Sequence, residues 1–165
     1  MKYIKALAAV FVLVLLDQWT KLLAVKYLMN TDGITLIPGV FKLYYLENRG
    51  SAFGLLQNQK TFFVIFTIAV LVILALIYRC IPDTVRMLPL QWIIVFIYAG
   101  AIGNFIDRIR QSYVVDFFYF ELIDFPIFNV ADIYVTVSAV LLLILVFFYY
   151  KDEDFDFLFR NRSQR

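Results

Sequence analysis

Four apolar runs, at roughly 4–28, 61–79, 89–107 and 129–150, decide what this chain can fold into. Each is close to the ~20 residues that an α-helix needs to cross the hydrocarbon core of a bilayer. In lipid the backbone must satisfy its own polar groups, so spans of this kind are helices. Composition agrees: 63% of the 165 residues are apolar, against roughly half in a soluble domain. Aromatic residues, 19% of the chain, suit belts that anchor a membrane protein at headgroup level. The first run has an uninterrupted apolar core only from Ala6 to Leu16, followed by Asp17, Gln18 and Lys21. That core has the length of a signal-peptide h-region, yet no small-residue cleavage site follows it. It is read as a retained span with a polar outer half.

Two absences narrow the chemistry. The chain has no histidine, which removes Ser-His and Cys-His hydrolases and the usual zinc sites. Its single cysteine, Cys80, allows no intramolecular disulfide and lacks the partner a thiol nucleophile needs. Net charge is +2 and spread out, which gives no footing for nucleic acid.

Four spans put both termini on one side of the membrane. Lys2, Lys5, Arg79, Arg86, Lys151, Arg160, Arg162 and Arg165 lie in the termini and the short 79–89 loop. Lys42, Arg49, Lys60, Arg108 and Arg110 are spread through two longer loops, 29–60 and 107–128. Basic density therefore favours cytoplasmic termini and a solvated cytoplasmic tail over 151–165. The segment "ITLIPGVFKLYYLENRGSAFG" carries β-branched and aromatic residues around Pro38-Gly39, a sheet signal. The segment "YVVDFFYFELIDFPIF" alternates aromatic and acidic residues and belongs at the interface. The fold class is an all-α integral membrane protein with four transmembrane helices and a small extracytoplasmic β-rich element in the first outer loop. Residues 1–165 form one four-span domain.

Polar residues inside the apolar runs gather at one depth, the outer ends of the spans. Asp17, Gln18 and Lys21 meet Asn104, Asp107 and Arg108 there, with Asn129 and Asp132 and the nearby Asp116. Ionisable groups in a membrane are costly and face the protein interior with a partner. Each has a purely structural explanation. Asp17 and Lys21, spaced i, i+4, can neutralise each other. Asn129 and Asp132, spaced i, i+3, match a helix N-cap with an acidic N3 residue. Asn48-Arg49-Gly50 fits an ordinary turn, and Asp107-Arg108 a polar helix end. Capping, however, requires neither Asp116 nor three asparagines at one depth. Two carboxylates close together in a low-dielectric site share a proton, which makes an acid/base pair able to activate water.

Five motifs in order, "DQWTK" (Asp17–Lys21), "NRGSAF" (Asn48–Phe53), "GNFIDR" (Gly103–Arg108), "VVDF" (Val114–Phe117) and "FNVAD" (Phe128–Asp132), resemble those of the lipoprotein signal peptidases. These type II signal peptidases are bacterial membrane aspartic proteases that remove signal peptides from prolipoproteins. The resemblance covers nearly the whole chain. It implies that Asp116 and Asp132 are the catalytic dyad, and that Asn48, Gly50, Asn104, Arg108 and Asn129 bind the substrate backbone or support the dyad. It implies structural support near the site for Asp17, Lys21 and Asp107. Two positions depart from the usual pattern: Ser51, where alanine is usual, and Ile133, where serine is common.

The resemblance further implies a prolipoprotein substrate whose cysteine already carries a diacylglyceryl thioether, cut just before that cysteine. It implies no cofactor and no metal, a multi-pass place in the bacterial cytoplasmic membrane with the active site near its outer face, and membrane lipids as the surroundings. The working unit is expected to be a monomer. Two other classes compete on the residues alone. A proton-coupled transporter wants its carboxylates near the midplane, and a non-catalytic scaffold has no use for the Asp116/Asp132 pair.

Overall fold

The computed structural model describes residues 1–50 and 59–159. Helix α1 runs from Lys2 to Leu28, α2 from Lys60 to Cys80, α3 from Leu88 to Gln111 and α4 from Val130 to Phe148. These four are long and apolar enough to cross a membrane, so the four apolar runs are helices to within a few residues of their expected ends. Helix α3 is the axis, since α1, α2 and α4 all pack on it. Helix α2 buries none of its side chains and α4 only Ala131, Tyr134 and Ser138. Their apolar outer faces are left for lipid, as a bilayer demands.

Strands β1 (Ile34–Ile37), β2 (Phe41–Asn48) and β3 (Val114–Tyr119) form one antiparallel sheet in the order β1-β2-β3. The expected Pro38-Gly39 turn joins the first two: the Val40 N–H donates to Ile37 O at 3.0 Å, and Gly39 takes a φ of 70°. Proline second and a positive-φ glycine third are the requirements of a type II turn. The β-rich element is not confined to the first loop, because the 113–128 segment supplies β3. Alternation is missing here: Val114, Val115, Asp116 and Phe117 are all buried, so this strand lies inside the sheet end with both faces covered.

One bridge then decides where the site forms. Phe118 and Phe128 exchange backbone hydrogen bonds of 2.8 and 3.1 Å. This fastens the start of α4 beside β3 and places Asn129 next to Asp116.

Close helix contact comes from glycine. A Cβ at Gly100 would lie 2.5 Å from Ala131 O and 2.8 Å from Val135 Cγ2, and one at Gly103 would run into Asp17. Gly100→Ala is therefore expected to lower stability by about 1–3 kcal/mol through overpacking. Thermal unfolding in detergent measures this, and an unchanged melting temperature would mean that α3 and α4 separate at no cost.

At the opposite end the 151–159 segment is not simply solvated. Phe155 and Phe157 pack on a core of Ile81, Met87, Leu90, Ile94 and Tyr150. The Arg86 guanidinium grips Asp154 with two hydrogen bonds of 2.7 and 2.6 Å and holds its carboxyl down at about 2. The phenylalanines interleaved with acids in "DEDFDFLF" are what tie this stretch, through the short helix α5 (Asp156–Phe159), to the tail end of the bundle.

Candidate active site

The sheet end of the bundle holds a buried polar cluster in two layers. The first layer is built around Asn129, which is fully buried. It is the N-cap of α4: its Oδ1 accepts from the Asp132 N–H at 3.0 Å, and its own N–H donates to Asp132 Oδ2 at 3.1 Å. The sequence spacing thus makes the capping box it suggests. The same side chain does more, because its Nδ2 donates to Asp116 Oδ1 at 2.6 Å and to Asn104 Oδ1 at 3.1 Å. One amide therefore joins β3, α3 and α4, with every donor and acceptor used.

The two carboxylates hang on this amide from different elements. Asp116, 1% exposed, also accepts from Asn48 Nδ2 at 2.8 Å. Asp132 is half-buried and accepts from Asn104 Nδ2 at 2.8 Å. Burial, together with the neighbouring Asp132 charge, pushes the Asp116 carboxyl up from its ordinary value to about 7; the two amide donors oppose this without cancelling it. Near neutrality Asp116 is therefore the acid that can keep a proton, while its neighbour opens towards the surface.

The second layer supports the first. Lys21, 4% exposed in its side chain, forms ion pairs with Asp17 at 2.9 Å and Asp107 at 3.0 Å. Its ammonium also donates to Asn104 Oδ1 at 2.8 Å. Because Asn104 Oδ1 receives Lys21 and Asn129, its Nδ2 is left to face Asp132. Asp17 accepts from the Ala131 N–H at 3.0 Å, a first-turn amide that the helix itself cannot satisfy. Asp107 accepts from the Val115 N–H at 3.3 Å and so holds β3. The Asp17–Lys21 pair is both a neutral local pair and a strut for α4.

Arg108 covers the side of the cluster. It donates to Gly50 O at 3.3 Å and Asn104 O at 3.5 Å, with its guanidinium 4.6 Å from the Phe63 ring centroid. Gly50 is itself held by an N–H donation to Asn48 Oδ1 at 3.0 Å. All ten residues singled out in the sequence therefore converge. Ser51 lies outside the described residues, and Ile133 is 38% exposed on α4.

Three further residues contribute, of which Gln18 already stands among the gathered polar residues of the sequence while Phe63 and Ala131 give no signal by residue type. Gln18 bridges Asp107 Oδ1 at 2.9 Å, Asp17 Oδ2 at 3.2 Å and Gly103 O at 3.2 Å. Phe63 supports Arg108 through its ring face, and Ala131 acts only through its backbone. Gln18 alone carried a signal, as an amide in an apolar run.

Fold and cluster together define a class: an integral membrane protein whose sheet end holds two carboxylates, one buried and one half-buried, joined through a single asparagine. Comparison with known proteins narrows it. Residues 9–148 match the family described as Signal peptidase (SPase) II, and the chain belongs to that family of peptidases. The lipoprotein signal peptidase of Streptococcus thermophilus is 49% identical over 134 residues, 81% of this chain and 86% of that protein. That of Caldanaerobacter subterraneus is 46% identical over 138 residues, 83% of this chain and 92% of that protein. Among solved structures, a bacterial membrane enzyme superposes with a TM-score of 0.77 at 35% identity, covering 87% of each chain. A second gives 0.75 at 34% identity, covering 88% of this chain and 94% of that one. The family match contains the whole polar cluster and ends before the packed tail segment.

Proposed function

We propose that the chain is a membrane aspartic endopeptidase that removes the signal peptide from diacylglyceryl-modified prolipoproteins, cutting just before the lipidated cysteine. The observation that carries this reading is the pairing of Asp116 and Asp132 through Asn129, with one carboxyl buried and the other half-open. Supporting it, a lipid-anchored substrate holds its scissile bond at the membrane surface, the level of a cluster at helix ends. Two carboxylates of unlike environment divide the acid and base roles.

In this mechanism Asp132 takes a proton from a water molecule, whose oxygen attacks the carbonyl carbon of the scissile bond. The Asp116 carboxyl hydrogen-bonds the oxygen that gains charge and returns a proton as the bond to nitrogen breaks. The new amine leaves on the lipidated cysteine, and the signal peptide ends in a new carboxylate. Asn48, Gly50, Asn104, Arg108 and Asn129 satisfy the substrate backbone or hold the dyad, since a peptide in a partly apolar site needs each polar group met. Asp17, Lys21 and Asp107 support these residues from behind. The whole chain acts as one peptidase domain and as a monomer, with its termini cytoplasmic and the cluster near the outer face of a bacterial cytoplasmic membrane.

The test is purified protein in detergent with a diacylglyceryl-modified prolipoprotein and a chelator, the products mapped by mass spectrometry. Cleavage before the modified cysteine is the expected result; none by folded protein overturns the reading. A pH dependence follows with definite sign. Below about 7 Asp116 holds the proton that the oxyanion requires, and above it that proton is lost. The rate kcat/KM should therefore fall about tenfold per pH unit on the alkaline side. A profile still rising well above neutrality would remove Asp116 as the acid.

A further inference from the structure

At the end of the bundle away from the carboxylates, α1 and α2 both pack on α3 but make no comparable contact with each other. A crevice of about 540 Å³ lies between the three helices. Its walls are apolar, drawn from Ala6, Leu7 and Val10 of α1, Leu74 and Ala75 of α2, and Ile94 of α3. The two alanines leave its width. Tyr3 and Tyr78 meet edge to face at its tail end, their centroids 6.1 Å apart.

Two cations stand at that mouth, in the terminal turns of α1 and α2. Arg79 lines the crevice and is exposed. Lys2 donates to Ile81 O at 2.5 Å, its ammonium 4.8 Å from the Tyr78 ring centroid. Among the described residues neither forms a direct ion pair, while Asp83 in the adjoining turn acts on Lys2 only at longer range. The place thus combines hydrocarbon walls, a basic mouth at headgroup level and a side open to lipid. Basic pockets between transmembrane helices are suited to anionic headgroups, and an unfilled groove forfeits dispersion contacts that a chain can restore.

We propose that this crevice is a binding site for an anionic phospholipid of the tail-side leaflet, with its phosphate on Arg79 and Lys2 and an acyl chain between α1 and α2. From Lys2 to Val10 the helix rises ~12 Å, room for the upper part of such a chain. The lipid extends along the crevice an α1–α2 contact that the protein makes through Lys2, Tyr3 and Tyr78 at the mouth. It thereby steadies α2, whose far end carries Phe63 against Arg108. The inference does not depend on the peptidase reading.

The test is thermal unfolding of the full chain in maltoside micelles, titrated with phosphatidylglycerol or with phosphatidylcholine of the same acyl chains. Melting should rise by a few degrees with phosphatidylglycerol and by less with phosphatidylcholine. In Lys2→Gln/Arg79→Gln the phosphatidylglycerol response should drop to the phosphatidylcholine level, the apparent affinity weakening about fivefold per cation removed. Ala75→Leu, which grows into the crevice, should blunt the response to both lipids. Equal responses of the wild type to the two lipids, or a full response in Ala75→Leu, would overturn the site.

Discussion

Asp132→Asn and Asp116→Asn should each lower kcat/KM for prolipoprotein cleavage by about 10³-fold, the scale of a lost acid or base, in a protein that still folds. Folding should survive because an amide keeps most of the geometry. At 132 the remaining oxygen can still accept from the Asn129 N–H and preserve the cap. At 116 the amide replaces an oxygen facing Asn48, a side chain only half-buried. What each change removes is the proton traffic. Groups acting as a unit are not additive, so the double variant should be no slower than the worse single one. Asp107→Asn is the control: its carboxylate is spent on Lys21, Gln18 and the Val115 N–H. It should cleave measurably faster than either dyad variant. Full activity in Asp132→Asn would remove Asp132 as the base and leave the peptidase without the proposed dyad.

The contrast between Asp107 and Asp116 also marks what a sequence can disclose. The helices were legible because an apolar run of bilayer length has few other fates. The Asn129–Asp132 cap and the Asp17–Lys21 pair were legible because their partners lie three and four residues apart on one helix. Asp17 to the Ala131 N–H spans 114 positions, and no periodicity encodes such a contact. The third strand was hidden for a related reason: a segment buried on both faces loses the alternation that marks a half-exposed strand. In the tail the acids suggested a solvated end, while the interleaved Phe155 and Phe157 carried the packing. In Asn129 one side chain caps α4 with its oxygen and bridges to Asp116 with its nitrogen, so the cap read from spacing also reaches a partner on another element.

Lys21→Met should produce the largest loss of stability, about 3–5 kcal/mol, the usual cost of stripping one partner from a buried ion pair. The three N–H donors of Lys21 are matched by three acceptors, on Asp17, Asp107 and Asn104. The Asp17 and Asp107 side chains are 0% and 5% exposed, so water cannot take the lysine's place. Methionine preserves the volume of the stem and isolates the effect of the charge. Two carboxylates then face each other across the gap with no cation between them. Asp107→Asn added to Lys21→Met removes one of these charges and should restore part of the loss, a favourable coupling that a double-mutant cycle of melting curves measures. Cleavage should also fall, because Lys21 is one of two donors that turn the Asn104 oxygen inward and its amide towards Asp132. Melting of Lys21→Met at the wild-type temperature would show that the second layer is not electrostatically closed, and the support assigned to Asp17, Lys21 and Asp107 would go with it.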